Sequence, residues 1–203
     1  MILPRFRRSS QARTIHALYG AIVAQARCAT FYADFGAPDT VEGRFDLIVL
    51  HMVLILQRLG RANEAGQRFG QAAGQAAGQE LGQSLFDEFC RDLDGNLREM
   101  GTGDLAVPKR MRAFAEAFYG RQSAYLAALA APDPGAFENA LARNIFAVGD
   151  HAGAAALAAY ARAAVRQLDA QSDAALFSGA VVFPDPEAFA HDVVEARVEL
   201  RAR

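Results

Sequence analysis

The sequence predicts an all-α protein, a single-domain helical bundle of six to eight helices over residues 1–203. Three observations carry that expectation. Apolar residues recur at three- and four-residue spacing in most segments, the breaks between segments read as helix caps, and the one strand-like piece, near 180–183, is too short to build a sheet. Length suits one well-buried core. A hydrophobic share of 52% with 22% charged residues is globular composition, and the net charge of −2 lacks the many cations that sequence-independent nucleic-acid binding requires.

A basic arm, residues 1–10 in "MILPRFRRSSQAR", leads into a helix over 11–33 with its stripe at Ile15, Leu18, Ile22 and Ala26. "FGAPDT" breaks it at Gly36 and Pro38. Asp39 or Thr40 then caps the next helix, and Asp39 with Glu42 has capping-box spacing. That helix carries "LIVLHMVLIL", residues 47–56. Crossing a membrane takes about 20 apolar residues, so this shorter run with His51 inside it reads as a core helix. Residues 63–83 repeat the unit AAGQ. Glycine costs a helix about 1 kcal/mol relative to alanine, so this is a frayed helix or a Gly/Gln/Ala-rich connection. The stripe resumes at Leu85, Phe86, Phe89, Leu93, Leu97 and Met100. "GTGDLAVP" ends it, and Pro108 suits the first turn of a helix through Met111, Phe114, Phe118 and Tyr125. "PDPG" at 132–135 opens a helix to about Val148, an Ala-rich helix covers roughly 152–170, and Asp185 with Pro186 starts a last one.

Catalytic chemistry finds little support in these residues. "GTGDLA" at 101–106 fits a dinucleotide-loop pattern, but a helix precedes it where the mechanism needs a strand. The histidines His16, His51, His151 and His191 lack metal-ligand spacing, and Cys28 and Cys90 read as buried, reduced thiols. No catalytic residue, metal site or cofactor is expected. The acidic helix 87–94, "DEFCRDLD", keeps one enzymatic alternative open: a helical enzyme or binding protein for prenyl or lipid-like substrates. A ribosome-associated factor touching RNA through Arg5, Arg7, Arg8 and Arg13 is a third reading.

Residues 31–59, "FYADFGAPDTVEGRFDLIVLHMVLILQRL", with 83–111, "QSLFDEFCRDLDGNLREMGTGDLAVPKRM", and 117–125, "AFYGRQSAY", stand in an order that resembles the ubiquinol–cytochrome c chaperone family. "LARNIF" at 141–146 is a weaker echo, so the resemblance spans 31–146. It implies an all-helical, non-catalytic assembly factor that binds newly made cytochrome b of the ubiquinol–cytochrome c reductase. It also implies work beside a small partner subunit or the ribosome. With no membrane span and no secretory core in view, the expected location is cytoplasmic, at most peripheral on the inner face of the cytoplasmic membrane, with no sequence-specific nucleic acid. Residues beyond about 150 match no family motif.

The candidate partner-binding or polar-clamp residues are Asp39, Thr40, Gly43, Arg44, Phe45, Asp92, Asp94, Arg98, Asp104, Lys109, Phe118, Tyr119 and Arg121. Gly43 is expected to leave its helix turn thinly covered, open to a partner. Arg44 and Arg121 are expected to pair with Asp92, Asp94 or Asp104, and Asp39, Arg44, Asp94, Arg98, Asp104 and Arg121 to converge on one side. Phe86, Phe89, Met100, Met111, Phe114, Phe118 and Tyr119 supply an apolar client surface wherever they are exposed.

Overall fold

The computed structural model describes residues 3–68, 72–148 and 151–190; the side chains of 3–10, 62–68 and 72–76 lie outside the described set. Among the described residues the chain is all-α. Its helices are α1 (Leu3–Ala26), α2 (Ala29–Ala33), α3 (Val41–Arg68), α4 (Ala72–Glu99), α5 (Val107–Ala130), α6 (Gly135–Ile145), α7 (Ala152–Ala170) and α8 (Asp173–Ser178). A single 3-10 turn, Pro186–Phe189, follows. The segment 180–185 carries no helix or strand.

Several boundaries differ from the sequence expectation. The helix drawn over 11–33 begins at Leu3, so most of the expected basic arm is helical; it stops at Ala26, and a new helix starts at Ala29, because Cys28 takes an extended ψ of 130°. Helices run into the AAGQ segment from both sides, up to Arg68 and from Ala72, so most of the expected connection is helical. α6 ends at Ile145, before Ala147, which holds a left-handed φ of 57°. The last helix is described only as the 3-10 turn, capped as expected by Asp185 accepting from the Glu187 amide at 3.0 Å.

The chain groups into two compact units, one of residues 1–21, 56–120 and 171–181, the other of 22–55, 121–170 and 182–203. In the second unit the first half of α3 is the core. Leu47, Val49, Leu50, Met52, Val53, Leu54 and Ile55 are all buried, the pattern of a helix covered on every side. Phe31, Phe35, Tyr125, Phe137 and Tyr160 fill the space around it. α7 contributes Ala154, Ala156, Ala158, Ala161 and Ala164, small side chains that permit close helix approach.

The unit 1–21, 56–120, 171–181 is built on Leu18, Tyr19, Leu59, Leu81, Leu85, Phe89, Leu97, Val107 and Phe118. Arg58, buried among them, donates to the Gln171 carbonyl at 2.8 Å and to Asp173 at 2.6 Å, which ties α8 down. α4 closes with a left-handed glycine: Gly101 has φ 79°, and the Thr102 amide reaches back to the Leu97 carbonyl at 3.0 Å, a Schellman-type end. That cap is what the "GTG" of the apparent dinucleotide pattern does.

Candidate functional site

The segment "DFGAPDTVEGRF" is held from two directions by glycines. A Cβ on Gly153, in the first turn of α7, would lie 1.8 Å from the Phe35 carbonyl oxygen, and one on Gly43 would lie 2.0 Å from the Pro38 carbonyl oxygen. No other residue type fits at such approach. Gly43 is therefore buried under its own chain, which corrects the expectation that it lies open to a partner. Thr40 is the N-cap of α3, its hydroxyl accepting from the Gly43 amide at 3.1 Å. With the cap at Thr40, the capping-box position falls on Gly43 and not on Glu42, so the Asp39–Glu42 box does not form.

Asp39 instead pairs with Arg44 at 2.7 Å, both side chains largely exposed. The Arg44 hydrogen bond holds the Asp39 carboxyl below its ordinary range. Arg44 is thus a surface pair and not the buried clamp that the expected partners Asp92, Asp94 or Asp104 would have made. A largely buried pair of this unit is Arg121 with Asp46, at 2.7 Å. The Arg121 guanidinium also lies 5.7 Å from the centre of the Phe45 ring, and Phe45 is buried. Burial pushes the Asp46 carboxyl up to about 6 even though Arg121 opposes the shift. Burial, and then the charge of Asp46, raises the Tyr125 phenol, whose hydroxyl is buried and finds no hydrogen-bond partner among the described residues.

His51, the polar residue within the apolar run, is a core histidine. Its Nδ1–H donates to the Leu47 carbonyl at 2.7 Å, and its Nε2 accepts from the Tyr160 hydroxyl at 2.8 Å. Phe31 and Phe183 meet its ring edge-on. Burial lowers its pKa to about 4, so it is neutral at pH 7.

In the other unit the carboxylates of the acidic helix all have protein partners. Asp87 accepts from Gln83, Glu88 pairs with Arg91 and lies 3.2 Å from His16, and Asp92 accepts from Tyr19 at 2.8 Å and from Asn96. Arg98 binds Asp94 at 2.7 Å and Asp104 at 2.6 Å. Among the described residues no three His, Cys, Asp or Glu side chains are grouped to hold a metal ion. Cys28 and Cys90 are half-buried, where full burial was expected, and partial burial still raises both thiols.

The aromatic residues of α4 and α5 divide between core and surface. Phe89 and Phe118 are buried. Tyr119 is 55% exposed and packs 5.5 Å from Phe86, which in turn lies 4.9 Å from Phe118, ring centre to ring centre. Phe86, Met111 and Phe114 are half-buried, and Met100 is 55% exposed. Lys109 is exposed on the first turn of α5. Asp39, Thr40, Gly43, Arg44, Phe45 and Arg121 belong to one compact unit, and Asp92, Asp94, Arg98, Asp104, Lys109, Phe118 and Tyr119 to the other. Sequence reasoning missed Asp46 and Tyr125 as members of the polar cluster. Asp46 at the edge of a long apolar run was the one available signal.

Comparison with known proteins finds a match of residues 33–183 to the family model described as ubiquinol–cytochrome C chaperone. A solved structure, the crystal structure of the Cbp3 homolog from Brucella abortus, is similar at 40% identity and TM-score 0.76 over 92% of this chain and 98% of that one. A search of curated proteins returned no significant match.

Proposed function

Because the chain belongs to the ubiquinol–cytochrome c chaperone family, a family of chaperone and assembly factors, we propose that its client is newly made cytochrome b. It holds this client, without catalysis, while the ubiquinol–cytochrome c reductase is assembled. The observation that carries this reading is the family match across 33–183, which includes both α3 and the α4–α5 pair. The partnering of every carboxylate in the acidic helix supports a binding protein over an enzyme, since side chains already paired within the fold are poorly placed to hold metal and diphosphate.

The client surface in this reading is the aromatic ledge of Tyr119 over Phe86, with half-buried Phe114 and Met111 along the same helix. An apolar helix of the client would lay its side chains against such a ledge. On the same compact unit, Arg98 paired with Asp94 on α4 is a polar contact of the client in this reading. In this reading the protein meets its client at the cytoplasmic face of the membrane. Among the described residues no helix is long and apolar enough to cross a membrane.

Deleting the gene should lower spectroscopic cytochrome b while other membrane cytochromes stay at wild-type level. Photo-crosslinkers at Tyr119 and Arg98 should capture cytochrome b. Normal cytochrome b in the deletion strain would refute the client; capture only from positions beyond 150 would refute the ledge.

A further inference from the structure

The turn between α4 and α5 carries an exposed apolar side chain and a basic cluster that the aromatic ledge of Tyr119 and Phe86 does not include. Leu105 is 99% exposed, as open as in an unfolded chain, and Met100 is 55% exposed on the same turn. A Cβ on Gly101 or Gly103 would meet nothing within 4 Å, so this turn stands clear of its surroundings. Directly after it, Lys109, Arg110 and Arg112 are all exposed and form no ion pair among the described residues. Asp94 and Asp104 are both taken by Arg98, which leaves Glu99 before the turn and Glu116 one helical turn beyond Arg112.

We propose that the α4–α5 turn docks on an anionic phospholipid surface, with Leu105 and Met100 entering the headgroup region and Lys109, Arg110 and Arg112 binding lipid phosphates. Charge complementarity and shape select this occupant. At about 100° per residue the three cations fan over about 160° of the α5 circumference. A groove on a protein partner would meet one edge of that fan, whereas a flat anionic surface approached end-on meets all three around the projecting leucine. A basic cluster flanking exposed apolar side chains is the combination that holds proteins at such interfaces.

The full chain is tested by co-sedimentation with vesicles of one part phosphatidylglycerol to two parts phosphatidylcholine, against phosphatidylcholine alone. Binding is expected to the anionic vesicles and to fall with salt. The double variant Arg110→Ala/Arg112→Ala should bind about 25-fold more weakly, about fivefold per cation. Leu105→Asp should weaken binding that persists at high salt. Removing three exposed arginines elsewhere, Arg27, Arg143 and Arg166, should leave binding within about twofold if each surface cation acts only near the membrane. Equal binding to both vesicle types, no binding, or an equal loss in that control overturns the proposal. The double variant is also assayed for client crosslinking in detergent, with its melting temperature as a check on folding. Retained crosslinking with lost vesicle binding supports a membrane surface separate from the client site. Loss of both in a protein of unchanged melting temperature assigns the turn to the client and overturns the proposal, and this outcome is distinct from failure of the client reading itself.

Discussion

Replacing Asp46 with Asn should stabilise the protein at pH 8, and the size of the gain follows from where Asp46 sits. Its carboxyl is buried beside Arg121, and burial raises its pKa to about 6 from an ordinary 3.8. A group with a raised folded pKa contributes stability that is complete below 3.8 and lost as pH climbs through 6. At about 1.36 kcal/mol per pKa unit, ionised Asp46 costs the fold about 3 kcal/mol above pH 7. Asn mimics the protonated acid and escapes that cost, so Asp46→Asn should gain about 3 kcal/mol at pH 8 and nothing below pH 4. His51, five residues on, runs the other way. Its pKa is lowered from 6.5 to about 4, so its stability is present above 6.5 and lost as pH falls towards 4. Converted in the same way, that loss is also about 3 kcal/mol. The two nearly cancel in the wild-type protein, whose urea midpoint should vary little between pH 4 and 6.5 on account of this helix. In Asp46→Asn the compensation is gone, and the midpoint should fall steadily with acid across that window. Urea unfolding at half-unit pH steps measures both. An Asp46→Asn protein less stable than wild type at pH 8 would show that attraction to Arg121 outweighs burial, and the reasoning fails.

Gly153→Ala and Gly43→Ala each place a Cβ within 2.0 Å of a backbone oxygen, and should cost at least the ~1–3 kcal/mol typical of overpacking, read as a drop in thermal midpoint. Gly95→Ala, in α4 with nothing within 4 Å of the added Cβ, should raise stability by ~0.5–1 kcal/mol in the same assay. Tyr160→Phe removes the hydroxyl that donates to His51 Nε2 and leaves that buried nitrogen unsatisfied, a loss of ~1–3 kcal/mol by urea unfolding; no loss would mean that the nitrogen finds another donor.

The long helices were legible in the sequence, because which residues share a helix face depends only on local spacing, whereas the short α2 and α8 were not read from it. The run 47–56 announced a core helix, since ten residues, apolar but for His51 and closed by charges, are too short to span a bilayer and too apolar for a surface. Pro38, Pro108 and Pro186 marked breaks for an equally local reason, a missing amide and a restricted φ. The resemblance over 31–146 pointed to the chaperone family, and the match over 33–183 shows that membership.

Partnership was decided elsewhere. Arg44 and Arg121 looked alike as candidate clamps, yet Arg44 closes a surface pair five residues away while Arg121 reaches Asp46 from another helix. His51 takes its hydroxyl donor from Tyr160, 109 residues distant. Gly43 in a sequence signals freedom or crowding equally well, and only the position of the Pro38 carbonyl made it crowding. Charge pairing and close approach depend on which segments the fold brings within a few ångströms, and no periodicity along the chain encodes that.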